Sequence, residues 1–247
     1  MSFTPSKLPR ISAAFWVMKI AATTLGETAG DLLSMTMSVG YAQSSLILLT
    51  AFLVSLVVQL LSSNYHAPLY WTVILTTSTA GTTISDYMDR TLQLGYEKGA
   101  LILALLLLGA LLLWRVTLGS ISVDSVRSRK AEGFYWTAIL LSNTLGTALG
   151  DFLADSSGLG FFGGAALIGS LLAAVLVAAF FTRLSRVALF WVAFVLTRPF
   201  GATLGDVLTK PRNRGGLDFG TLGSSAILAG LLIALVTWQV VSPRKVT

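Results

Sequence analysis

A six-residue motif ending in aspartate is written four times in this chain of 247 residues, so any fold it adopts must place four equivalent segments. The copies are Gly26-Glu27-Thr28-Ala29-Gly30-Asp31, Gly81-Thr82-Thr83-Ile84-Ser85-Asp86, Gly146-Thr147-Ala148-Leu149-Gly150-Asp151 and Gly201-Ala202-Thr203-Leu204-Gly205-Asp206. Fifteen residues before each aspartate stands a tryptophan preceded by another aromatic: Phe15-Trp16, Tyr70-Trp71, Tyr135-Trp136 and Phe190-Trp191. The tryptophans are 55, 65 and 55 residues apart, which divides the chain into two similar halves of two repeats each.

With 54% hydrophobic and 11% charged residues, the chain is more apolar than soluble domains, which carry about 25% charge. A polytopic membrane protein is expected. There is no cysteine, which excludes disulfides, thiolate metal sites and cysteine nucleophiles. The single histidine, His66, falls in a polar connection outside the motif, leaving almost nothing for haem or imidazole-zinc chemistry. The net charge of +6 is read as a topology signal rather than nucleic-acid binding. The first apolar run carries the first motif and no small-residue cleavage site follows it, so it reads as a spanning helix and not a signal peptide.

A spanning helix needs about 20 mostly apolar residues. Eight stretches qualify: 11 to 33, 43 to 62, 68 to 88, 97 to 117, 132 to 153, 161 to 182, 185 to 207 and 220 to 241. The fold expected is all-α, a single transmembrane domain over 1–247 in four parallel two-helix repeats (about 11–62, 66–117, 131–182 and 186–241) with pseudo-fourfold or nested twofold symmetry. Odd helices carry tryptophan and aspartate. Even helices are plainer, and the leucine-rich 101–114 stretch is expected to face lipid. The N-terminus and the even-to-odd connections carry ten Lys and Arg (Lys7, Arg10, Arg115, Arg127, Arg129, Lys130, Arg183, Arg186, Arg244, Lys245). The odd-to-even connections carry five: Arg90, Lys98, Lys210, Arg212 and Arg214. This places both termini in the cytoplasm of a bacterial inner membrane, with the tryptophans as an interfacial belt on that side. At about 1.5 Å per residue each aspartate stands roughly 22 Å further along, inside the outer half of the bilayer.

Glycine and hydroxyl residues at helical spacing are ordinary membrane packing, and an aspartate near a helix end is ordinarily solvated. Four acids on an identical spacing point beyond both, because an ionisable residue inside a membrane is costly. Converging on one axis, Asp31, Asp86, Asp151, Asp206 and Glu27 would need protons, a cation or internal bases to offset their repulsion. With Thr24, Thr28, Thr82, Asn143 and Thr147 as auxiliary oxygen donors, the set suits a hard cation such as Mn²⁺, Mg²⁺ or Ca²⁺, or protons. Two bases, Lys19 and Arg198, fall within predicted helices. Arg198, on nearly the same face as Asp206 and two turns before it, is expected to act as an internal counter-ion, and Lys19 either to do the same or to snorkel to the cytoplasmic interface. Asp89 and Asp155 read as solvated loop residues or as an outer funnel. The Arg127 to Lys130 loop reads as a topology determinant or an anionic-lipid contact.

The aromatic-Trp openings together with GETAGD, GTALGD and GATLGD resemble the bacterial membrane-anchored family built from four copies of a short repeat of unknown function. That resemblance spans nearly the whole chain and implies an integral membrane protein. Its second repeat departs most, with Ser85 in the place of glycine. Glu27 with Gly30-Asp31 is also similar to the signature of cation/proton exchangers that handle manganese and calcium, although the other repeats lack the glutamate. The expected function is therefore a transporter, foremost an exporter of Mn²⁺ with possible proton coupling. No resident cofactor and no catalytic residue are expected, and the partners expected are lipid and the transported metal ion or proton, with a homo-oligomer left open. The rivals are a cation channel, an intramembrane metal-dependent enzyme, and an assembly subunit whose acids merely pair with Lys19 and Arg198.

Overall fold

The computed structural model describes residues 8–242, so Lys7, Arg244 and Lys245 lie outside the described residues. Within them the chain is helical and contains no strand. The eight helices are α1 (Ala13–Asp31), α2 (Tyr41–Leu61), α3 (Ala67–Asp86), α4 (Tyr96–Leu118), α5 (Arg129–Asp151), α6 (Gly160–Phe181), α7 (Arg186–Thr209) and α8 (Thr221–Val241). Their starts follow local chemistry. Ser12, Ser128 and Ser185 cap α1, α5 and α7 by accepting from the backbone N–H three residues on, and Pro68 stands in the first turn of α3. Gly40, Gly95 and Gly160, each nine residues after a motif aspartate, take φ of 84°, 73° and 66°. A side chain there would be strained, so glycine turns the chain back into the even helix.

The odd helices form a closed ring: α1 packs on α3, α3 on α5, α5 on α7 and α7 on α1. Each even helix packs on the odd helix of the following repeat, α2 on α3, α4 on α5 and α6 on α7, while α8 closes the circle on α1. The motif glycines make the ring tight. A Cβ at Gly26, Gly81, Gly146 or Gly201 would run into Ser78, Asn143, Arg198 or Thr23 respectively, each eight residues before its own aspartate. The same register recurs at all four interfaces, so the four odd helices run parallel. At Gly81 the added carbon would stand 3.0 Å from backbone atoms of Asn143 and Thr144. Gly81→Ala should therefore cost about 1 to 3 kcal/mol by forcing α3 from α5, read as a lower unfolding temperature in detergent. An unchanged temperature would show that the interface has slack.

Five helices, α2, α4, α6, α7 and α8, are long and apolar enough to cross a membrane. The other three, α1, α3 and α5, carry the threonines, serines and acids that the ring interior absorbs. Large apolar side chains such as Leu46, Leu108, Phe180 and Ile227 stand exposed on the even helices. The 101–114 stretch follows this pattern, except that Leu103, Leu107 and Trp114 turn inward onto the bundle.

The tryptophans form a layer, but inside the ring and not at its rim. Trp71, Trp136 and Trp191 are buried, and Trp16 is half-buried. Each leading aromatic touches the tryptophan of the next repeat, Phe15 with Trp71, Tyr70 with Trp136, Tyr135 with Trp191 and Phe190 with Trp16, at centroid separations of 5.8, 5.5, 6.5 and 5.8 Å. The Tyr70 and Tyr135 hydroxyls share a hydrogen bond of 2.7 Å. The correction to the interfacial belt has a simple cause: two adjacent aromatics per helix fill the gap between parallel neighbours, which one ring facing outward would leave open.

Candidate carboxylate centre

Asp31, Asp86 and Asp151 are the last residues of α1, α3 and α5, and Asp206 lies one turn before the end of α7. After the first three the backbone widens into π-helical turns, Leu32–Thr36, Tyr87–Thr91 and Phe152–Ser156, a distortion found disproportionately at functional positions. All four aspartates and Glu27 are buried. One carboxylate oxygen from each of Glu27, Asp31 and Asp206 can be chosen so that all three lie within 4.8 Å of one another. Oxygen ligands at about 2.0 to 2.6 Å from a divalent cation stand up to about 5 Å apart across it, so this trio can hold such an ion.

Three bases meet these acids. Arg90 forms an ion pair with Asp86, Nε to Oδ1 at 2.9 Å, and its Nη2 donates to Asp151 Oδ2 at 3.2 Å. Lys210 reaches Asp31 at 3.0 Å and Asp206 at 3.1 Å. Each stands four residues after its own aspartate and bridges to the aspartate of the next repeat, which makes two equivalent pairs of acids. Burial opposes the ammonium form of Lys210, but Asp206 and Asp31 outweigh it and hold its pKa above the ordinary lysine value. Arg90 and Lys210 stand in the odd-to-even connections where the loop count places them, but both reach back to the acids. The signal for that reach was helical spacing, because a residue four beyond the aspartate shares its face.

Arg198 occupies the ring interior and is fully buried. Its Nη2 donates to Glu27 Oε2 at 2.9 Å, to Thr147 Oγ1 at 2.6 Å and to Thr82 Oγ1. Glu27, Thr82 and Thr147 each stand four residues before their aspartates, and the fourth member of that layer is Ala202. The guanidinium thus fills the space that a polar side chain at Ala202 would take. Arg198, expected to pair with one of the acids, forms its ion pair with Glu27.

Lys19 does not snorkel. It is fully buried, its Nζ has no hydrogen-bond partner among the described residues, and it lies 3.9 Å from the centroid of the Phe194 ring. Thr82 and Thr147 join the centre, whereas the other expected oxygen donors turn elsewhere. Thr24 donates to the Ile20 carbonyl of its own helix at 2.9 Å. Thr28 faces α8, where Ser225 Oγ lies 2.9 Å away. Asn143, two turns before Asp151, donates to Thr77 Oγ1 at 2.7 Å. Asp155 is exposed as expected. Asp89 is not: it is buried in the turn after α3 against Gly99, and accepts from Ser85 Oγ at 3.3 Å. Burial pushes its carboxyl up to about 6, against the Ser85 hydrogen bond and Arg90.

Residues 14–65, 69–119, 134–185 and 189–245 match the family described as Repeat of Unknown Function (DUF347). No curated protein and no solved structure matches the chain.

Proposed function

Because the chain belongs to the DUF347 repeat family, whose description assigns no activity, its role is read from geometry, and we propose that it is a bacterial inner-membrane carrier for a hard cation, foremost Mn²⁺. In this reading all eight helices span, with α1, α3, α5 and α7 as a pseudo-fourfold polar ring inside an apolar jacket, and both termini are cytoplasmic. The observation that carries the proposal is the meeting of Glu27, Asp31 and Asp206 within 4.8 Å inside that jacket. Charge supports it. Five buried carboxylates outnumber the three bases paired with them, Arg90, Arg198 and Lys210, an excess of negative charge that a divalent cation or protons would offset.

A carrier fits better than an open channel because Arg198 fills the ring between Glu27, Thr82 and Thr147 and the aromatic layer closes the tryptophan end. An enzymatic reading has little support, since the centre offers no nucleophile paired with a base. A pure assembly role would be better served by balanced charges. The test is Mn²⁺ and proton flux in proteoliposomes, with Mg²⁺ and Ca²⁺ as competitors. Saturable flux in the parent that is lost in Asp206→Asn and Asp151→Asn is expected. Absence of flux for every ion in a folded parent would overturn the carrier reading.

A further inference from the structure

The mechanism just proposed leaves Lys19 unused. Lys19 stands twelve residues before Asp31, and the equivalent positions of the other repeats are Ile74, Ile139 and Phe194, all fully buried. Three repeats therefore close this layer with apolar side chains, and one places an amine there. A methionine would fill the same space without the cost of burying a polar group that lacks a hydrogen bond. An amine placed here, over the face of Phe194 and with no hydrogen bond among the described residues, is a candidate for a group that changes its charge.

The surroundings define what acts on it. From α7 the neighbour is Phe194, and Arg198, one turn on, is the nearest influential charge. On α1 itself Glu27 lies eight residues on, about 12 Å along the helix. α3 presents Ile74 at this level, with Tyr70 one turn below and Asp86 three turns above; across the ring α5 presents Ile139, between Glu132 and Tyr135 on one side and Asp151 on the other. α8 has no titratable residue. No carboxylate among the described residues touches the amine; the charge that acts on it is the Arg198 guanidinium, which is itself paired with Glu27, so a change of charge at Glu27 alters the charge that Lys19 meets.

We propose that Lys19 is the proton-carrying partner of the cation site. With the carboxylates unfilled and in excess, the amine holds a proton. When a divalent cation binds Glu27, Asp31 and Asp206, the added positive charge expels it. One N–H bond of the ammonium breaks, the electron pair stays on nitrogen, and a water that reaches the amine when the carrier opens takes the proton, so cation and proton exclude one another without sharing a ligand. This rests on the carrier reading and supplies its coupling group.

Proton release on Mn²⁺ addition to the purified, detergent-solubilised protein in weakly buffered solution tests it, with bound Mn²⁺ counted in parallel. The parent should release protons, and Lys19→Met should bind Mn²⁺ yet release about one fewer per ion. Lys19→Arg, which keeps its charge, should show the same deficit and serves should the methionine variant fail to fold. Equal release by parent and variants would overturn the coupling role and leave the carrier reading standing. No Mn²⁺ binding by a folded parent would overturn the carrier reading, and the coupling role with it.

Discussion

Arg198→Leu should destabilise the protein by about 3 to 5 kcal/mol, because it leaves Glu27 as a buried charge with its partner removed. The same change strips a donor from Thr82 and Thr147 and empties the space that Ala202 leaves in its layer. Neighbouring helices depend on that side chain too, since Gly146 of α5 lies directly against its Cβ and Cγ. The measurement is thermal or denaturant unfolding in detergent, made together with a double variant. Arg198→Leu combined with Glu27→Gln should recover a large part of the loss, since a neutral amide needs no counter-charge. If the single variant is as stable as the parent, the pair is dispensable. If the double variant is no better than the single, packing of the arginine stem and not charge is what the ring requires.

That arginine also shows how much of the centre could be read in the residues alone. The constant interval from tryptophan to aspartate gave four parallel helices and put the acids at one end, but did not say which of them meet; the structure brings Asp31, Asp206 and Glu27 together. Replacement of Glu27, Thr82 and Thr147 by Ala202 in the one repeat that carries Arg198 was equally visible in the sequence, as a loss and a gain one turn apart. Arg90 and Lys210 were not recognised, because counting bases by connection presumes that the helix face ends at the aspartate. The turn after Asp86 continues as a π-helix and α7 runs on to Thr209, which keeps both bases over the acids. Thr28 was misjudged for a different reason. It lies one residue beyond Glu27, about 100° round the helix, and so meets Ser225 of α8 instead of the interior. Lys19 was expected either to act as a counter-ion or to reach the interface, and it does neither: it pairs with no acid among the described residues and lies buried over Phe194. Which ring would lie beside it depends on the register between α1 and α7, and no local pattern states that.

Mn²⁺ binding should fall at least 100-fold in Asp31→Asn and rise about tenfold in Lys210→Met. Asp31 and Asp206 are the two acids that Lys210 bridges among the described residues, so an ion that takes their oxygens must displace the ammonium. Losing a carboxylate removes one ligand and one of the two charges that hold the base; losing the base removes a tethered competitor. Unit charges about 4 Å apart at an effective dielectric of about 20 interact by about 4 kcal/mol. Lys210 is partly open to solvent, and screening leaves only a fraction of that as the gain in affinity. The comparison that isolates the effect is Arg90→Gln, which frees the equivalent pair Asp86 and Asp151. There the third position, four residues before the second aspartate, is Thr147, where the Lys210 pair has Glu27. A threonine hydroxyl cannot supply the third negative charge, so Arg90→Gln should change Mn²⁺ affinity far less than Lys210→Met. Isothermal titration of the three variants in detergent reads the order directly. Equal gains from both base deletions would mean that the two pairs act as one fourfold site, and a gain confined to Arg90→Gln would move the cation to Asp86 and Asp151.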